Sequence, residues 1–372
     1  MTPAPNVRPA EPARSGSDPA PNAYFACLGH HPHPLPWRVE DDVHAGIPAY
    51  FREVFRAVER CLGPRGLTVY VTWSPDTLPT YGDRVVALYM ADEWCQVPAY
   101  ADRVLATFKP YGTRVPFEVN PLRHPSALNV LLTAKYARVL AHNAPGYARH
   151  ALKRVRLGKA HPPIYTVPLG YGNQLDLPVT PILDRPDDVF FAGSVEHGET
   201  GKGGPFAIRN PKNLARTEML AALETLAARR PDLSIDLATM KGFALNALHY
   251  GQAGSDVLRA QAYSERMMRA KLCLVPRGTS PETFRFFEAI RYGSIPITER
   301  LPKHWFYEGA PAIQLDHWRD LGRVAERLLA DPPRLQAMHE AGLRWWRDVC
   351  SEDAVGRFIA ERLAPLLDGP RA

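Results

Sequence analysis

Residues 271–298, KLCLVPRGTSPETFRFFEAIRYGSIPIT, leave this chain few folds to choose from. Residues 272–275 form a short apolar run, the pattern of a strand buried on both faces. Pro276-Arg277-Gly278-Thr279-Ser280-Pro281 breaks it into a polar loop. A helix is predicted from about Glu282, with Phe286, Ala289, Ile290 and Gly293 on the side that packs against a sheet. Arg285 and Glu288, three apart, share another side. Gly293-Ser294 stops the helix, and Ile295-Pro296-Ile297 begins the next strand. Strand, loop, helix and strand in this order belong to an α/β sheet, in which ligands sit at the carboxyl ends of strands. An arginine beside a helix N-terminus makes that end an anion site.

The rest of the chain alternates in the same way. Strands are predicted at 24–28, 67–73, 84–90 and 104–108, with helices at 47–62 and 126–142. Residues 145–187 are rich in Pro and Gly and poor in helix signals, and 164–172 read as a crossing segment. Further strands are expected at 188–194, 235–238 and 312–315. Further helices are expected at 213–229, 256–269, 317–330, 333–349 and 352–367, with Trp345 and Trp346 pinning the last ones. The expected organisation is a disordered tail at 1–21, an α/β unit at 22–175, a second at 176–350, and a C-terminal helix at 351–372 that packs back on the first unit.

The residues of the opening stretch also carry a resemblance. Cys273-Leu274-Val275-Pro276-Arg277-Gly278, followed by Arg285-Phe286-Phe287-Glu288-Ala289-Ile290 and Gly293-Ser294-Ile295-Pro296-Ile297, resembles the C-terminal signature of exostosin-type glycosyltransferases. Some fucosyltransferases end in a related turn. The resemblance implies two Rossmann-like domains facing across a cleft, the GT-B type, with the nucleotide sugar in the C-terminal half and the acceptor presented by the N-terminal half. It implies inversion at the anomeric carbon, and it gives Glu288 the part of the carboxylate that accepts the ribose hydroxyls.

The residues themselves suggest how a donor is held. Arg277 and the Gly278 N–H suit a diphosphate, since glycine allows close approach and arginine neutralises the leaving charge. Thr279, Ser280 and Thr283 offer hydrogen bonds at the helix start. Arg285 is either a second phosphate contact or a partner for Glu288. Gly193-Ser194 ends a strand and is a further donor contact on the same logic. Gly201-Lys202 is not a phosphate loop, because Glu196 stands where the first glycine is required; Lys202 and Arg209 remain candidates to face the donor. The base for the acceptor hydroxyl is expected in the first half: Asp92 or Glu93 at a strand end, with His30 (beside His31) as the competitor.

The chain has no Asp-x-Asp triplet and no Cys/His cluster with zinc spacing, so neither a metal nor any other cofactor is expected. Five scattered cysteines read as reduced thiols. The net charge of +6 suits a nucleotide diphosphate or an acceptor on an anionic membrane, but no basic run is dense enough for nucleic acid. Neither an 18-residue apolar stretch nor a signal peptide is seen, which fits a cytoplasmic, bacterial enzyme, acting alone or at the inner face of the membrane. The expected partners are a nucleotide-sugar donor and a glycan, lipid-linked or small-molecule acceptor. A fucosyltransferase-like enzyme using a GDP-sugar and a non-catalytic nucleotide-sugar binder are the alternatives.

Overall fold

A computed structural model describes residues 20–28, 33–40, 47–91, 94–158, 161–172, 174–194, 211–240 and 255–368. The expected tail up to residue 19, most of the loop at 196–211 and most of the stretch at 240–254 lie outside them.

The first sheet contains β1 (Ala23–Cys27), β2 (Leu35–Trp37), β3 (Thr68–Thr72), β4 (Gly82–Tyr89), β5 (Val104–Lys109) and β6 (Ile164–Thr166), in the order β2-β1-β3-β4-β5-β6. All pairs are parallel except β1 with β2. β2 carries no sequence signal: it is three residues long and holds Pro36, which only an edge strand tolerates. Helix α1 (Ala49–Leu62) follows from the spacing of Phe51, Val54, Phe55, Val58 and Leu62, all buried.

The second sheet contains β7 (Asp187–Ser194), β8 (Ile235–Met240), β9 (Ala270–Val275), β10 (Ile295–Glu299) and β11 (Ile313–Leu315). Its order is β11-β10-β9-β7-β8, parallel throughout. The chain starts this sheet at β7, adds β8 on one side and β9 to β11 on the other. The order reverses between β7 and β9, so a crevice opens at their carboxyl ends. Around this sheet lie α3 (Pro211–Arg229), α4 (Ser255–Met268), α5 (Phe284–Arg291), α6 (Leu321–Leu329) and α7 (Pro332–Trp345). Helix α5 begins later than the sequence suggests, with Thr283 at its cap, because the Glu282 carboxylate is bound outside the helix by Ser280 and His304.

Helix α2 (Ala127–Leu157) departs most from expectation. Ser126 caps it as predicted, accepting from the Asn129 N–H at 3.0 Å. It then runs past 142, through Pro145, to Gly158, whose φ of 55° ends it. Pro145 has no N–H for the Ala141 carbonyl, but both residues are exposed, so that carbonyl is not shut away from solvent. The helix serves both units. Leu128, Leu132 and Tyr136 join the core of the second sheet with Val189, Phe191 and Leu274. Two turns later, Asn143 donates to the Trp94 carbonyl and Tyr147 to that of Cys95 in the first unit, at 2.5 and 2.8 Å.

The last helix, α8 (Glu352–Asp368), lies against α1, and a β-carbon on Gly356 would meet the Val54 carbonyl at 2.9 Å. Trp345 and Trp346 are buried, the first against Phe286 and the second against Tyr50 and Tyr171. A single apolar cluster runs from Phe51 and Val86 of the first unit to Phe190, Cys273 and Phe286 of the second. At this seam Gly170 has φ of 70° and its α-carbon is pressed onto the buried Tyr50 ring, which leaves no space for a β-carbon. Gly170→Ala should cost about 2–3 kcal/mol, combining left-handed strain with overpacking, and a urea melt would show it as a lowered midpoint.

Candidate functional site

The two sheets point the carboxyl ends of their strands at each other. Trp305, beyond β10, donates to the Thr166 carbonyl at the end of β6, at 2.8 Å, and His304 packs on Gly112, just beyond β5. On the second sheet, the switch-point crevice is flanked by Ala192 and Gly193 at the end of β7 and by the loop 276–283 after β9.

Arg285, in the first turn of α5, crosses that crevice. Its Nη2 donates to the Ala192 carbonyl and its guanidinium lies 5.0 Å from the centre of the Phe191 ring. A β-carbon on Gly193 would sit 2.8 Å from Nη2, so a glycine is what lets the arginine lie there. Arg285 and Gly193 are thus brought together, as a shared anion site requires. Its bond to Ala192 takes the place of the intrahelical pair with Glu288.

Arg277 is buried, 3% exposed, and forms the crevice wall under α2 rather than an open arm. Its Nη2 donates to the Tyr136 hydroxyl at 2.5 Å, and its backbone N–H donates to Glu299 Oε2 at 2.9 Å. Glu299 Oε1 accepts from the Trp318 indole at 2.9 Å. Burial pushes the Glu299 carboxyl up, while the Arg277 charge pulls it back down. Lys135, also on α2, donates to the Thr279 carbonyl. The first unit therefore grips the loop after β9 through Lys135 and Tyr136, neither of which the sequence marked as a site residue. A helix predicted to end at 142 gave no hint that its early turns face the other sheet.

Three polar atoms here are buried without a hydrogen-bond partner: Arg277 Nε, Thr283 Oγ1 and Arg285 Nε. A buried N–H without an acceptor costs on the order of 1–3 kcal/mol. Two of the three are N–H groups and one is a hydroxyl, and all belong to the loop after β9 and the start of α5.

The other predicted donor residues are used differently. Glu288 is 2% exposed; Oε1 accepts from the Gly172 N–H at 2.9 Å and Oε2 from the Tyr263 hydroxyl at 2.7 Å. It anchors the segment between the two units. Gly278 has ordinary room for a β-carbon, 3.6 Å from the Ser280 carbonyl oxygen, so the protein's own packing does not demand glycine there. The Thr279 carbonyl is held by Lys135, and the Ser280 hydroxyl bonds Glu282 Oε2. Ser194 closes β7. Asp92, Glu93 and His30 lie outside the described residues.

His304 is a residue the sequence reading missed. Its Nε2 stands 3.1 Å from Glu282 Oε1, and the two side chains are 11% and 4% exposed. They are 22 residues apart, and no motif links them. All five cysteines are free, and burial pushes the Cys273 thiol up to about 12, which keeps it inert. Among the described residues no three His, Cys, Asp or Glu side chains gather as a metal site, and no helix is long and apolar enough to cross a membrane.

Residues 252–349 match the family model of the RXYLT1 C-terminal domain. No curated protein matches the chain. Among solved structures, a chain of the GtfA/B complex is similar at 14% identity and a TM-score of 0.42, over 86% of this chain and 61% of that one. Sucrose-phosphate synthase from Thermosynechococcus elongatus is similar at 12% identity and a TM-score of 0.42, over 94% of this chain and 100% of that one. AviGT4, a glycosyltransferase involved in avilamycin A biosynthesis, is similar at 12% identity and a TM-score of 0.41, over 95% and 99%. This chain thus spans 61% of the length of the GtfA/B chain it matches. Residues 252–349, which contain the loop after β9 and helix α5, are thus the part of the chain that is similar to the RXYLT1 C-terminal domain.

Proposed function

We propose that this protein transfers a sugar from a nucleotide-sugar donor to an acceptor hydroxyl, with inversion and without a metal ion, on a glycan, lipid-linked or small-molecule acceptor in the bacterial cytoplasm. The observation that carries the donor half of this reading is the set of unpaired buried donors on Arg277, Thr283 and Arg285, at the switch point of a parallel sheet. Two arginines and a helix start supply the charge that a diphosphate needs as it leaves, the part a metal ion plays elsewhere. The Gly193 backbone lies against the Arg285 guanidinium and the Phe191 ring, which holds that arginine at the end of β7. Asp92, Glu93 and His30 remain the first-half groups to be tested as the base.

The test is a panel of UDP-, GDP- and dTDP-linked sugars, read by thermal shift and by release of the nucleoside diphosphate. At least one nucleotide should raise the melting temperature; folded protein that responds to none of them contradicts the proposal. A preference for GDP over UDP would favour the fucosyltransferase-like form of the enzyme. Binding without turnover for any acceptor would mark a non-catalytic binder.

A further inference from the structure

Beside the donor loop lies a relay of three side chains. Ser280 Oγ bonds one oxygen of Glu282, and the other oxygen stands 3.1 Å from His304 Nε2. Glu282 is 4% exposed in its side chain, so a carboxylate that could lie in water is instead enclosed between a hydroxyl and an imidazole. The imidazole is fixed on its other sides too. The Tyr307 ring stacks at 6.1 Å and the Phe306 ring lies at 5.4 Å. Gly112 approaches the Nε2–Cε1–Nδ1 edge so closely that a β-carbon there would collide with Cε1. The relay begins in the loop that carries Arg277 and ends against the carboxyl end of β5, which is where the two sheets face each other.

A carboxylate only accepts hydrogen bonds, so Nε2 carries the proton and Nδ1 keeps its lone pair. We infer that His304 is the base that takes the proton from the acceptor hydroxyl, and that Glu282 is its positioning residue. This inference rests on the transferase reading above, and it puts His304 ahead of Asp92, Glu93 and His30. The step balances. The hydroxyl proton passes to His304 Nδ1, and the oxygen forms its bond to the anomeric carbon. The bond from that carbon to the diphosphate oxygen breaks, and its electron pair leaves with the nucleoside diphosphate towards Arg277 and Arg285. Ser280 and Glu282 thus couple the donor loop to the base: a donor that moves the 277–281 loop moves the carboxylate that aims the imidazole.

The readout is nucleoside diphosphate released from UDP-, GDP- and dTDP-linked sugars, with simple alkyl glycosides as acceptors, alongside nucleotide affinity by calorimetry. His304→Asn should lower kcat by about 100-fold or more and leave nucleotide affinity within about twofold. Glu282→Gln should lower kcat with the donor KM unchanged, and Glu282→Asp should recover part of the loss. Added imidazole should restore part of the turnover of His304→Ala, which a purely structural histidine would not allow. The inference is overturned by a His304→Asn enzyme within about threefold of wild-type kcat, above all if Glu93→Gln is inactive. It is equally overturned if every loss tracks a lowered melting temperature and imidazole restores nothing. Wild-type protein that neither binds a nucleotide nor releases one would remove the transferase reading itself, a result distinct from either.

Discussion

Arg277→Ala should weaken nucleotide binding by roughly 30- to 150-fold, the equivalent of about 2–3 kcal/mol for a buried charge-assisted contact. The side chain is already oriented. Tyr136 accepts from Nη2, the backbone N–H is fixed on Glu299, and Nε is buried with nothing to donate to. A diphosphate oxygen reaches that nitrogen once the atoms covering it move aside, and the new bond then relieves the penalty of a buried N–H without an acceptor, which is where most of the gain arises. The same substitution leaves the half-buried Glu299 carboxylate without the Arg277 charge beside it, so its pKa should rise further and the melting temperature should fall. Arg277→Lys separates the two effects. It keeps a charge beside Glu299 and should restore most of the stability, but it lacks the planar fork and should remain weak for nucleotide. Calorimetric titration of both variants, with thermal melts in parallel, checks the pair.

Arg185→Ala should cost about 3–5 kcal/mol of stability, measured by urea unfolding, while leaving the loop after β9 untouched. Arg185 is 2% exposed and binds a ring of carbonyls. Nη1 donates to Ala270 O at 2.9 Å and to Ser294 Oγ at 2.8 Å; Nε and Nη2 share Thr180 O; Nη2 also reaches Tyr292 O at 2.5 Å. Its guanidinium joins the segment entering the second sheet to the start of β9 and the turn before β10. Burial lowers its pKa to about 10, the mark of a charge held away from water. Truncation would strand several buried carbonyls at once, and no neighbour is placed to replace five N–H groups.

The sequence was most informative where the local pattern decides the structure. The apolar run before Pro276, the helix around Phe286 and Ile290, and the stop at Gly293 depend on neighbouring residues, and all three are present, with the helix starting at Phe284 rather than near Glu282. Arg285 and Gly193 were both singled out, and the fold brings them together because β7, which carries Gly193, and β9, which leads into the helix of Arg285, flank the switch point. What was not legible depends on partners far away in the chain. Tyr136 meets Arg277 across 141 residues, and Gly172 meets Glu288 across 116. Pro145 and the glycines near it read as breakers, yet an exposed helix face tolerates one missing hydrogen bond, so α2 runs on and spans both units. His304 and Glu282 carry no motif; only the meeting of the two sheets gives them a shared position.

The central claim is that the donor lies at the β7–β9 switch point. Its most direct test is a crystal structure of the protein with UDP or GDP bound. The account predicts diphosphate oxygens within hydrogen-bond distance, about 3 Å, of Arg277 Nε, Arg285 Nε and Thr283 Oγ1, with His304 facing the open side of the anomeric carbon. A nucleotide bound away from that crevice, with those three atoms still unpaired, would contradict it.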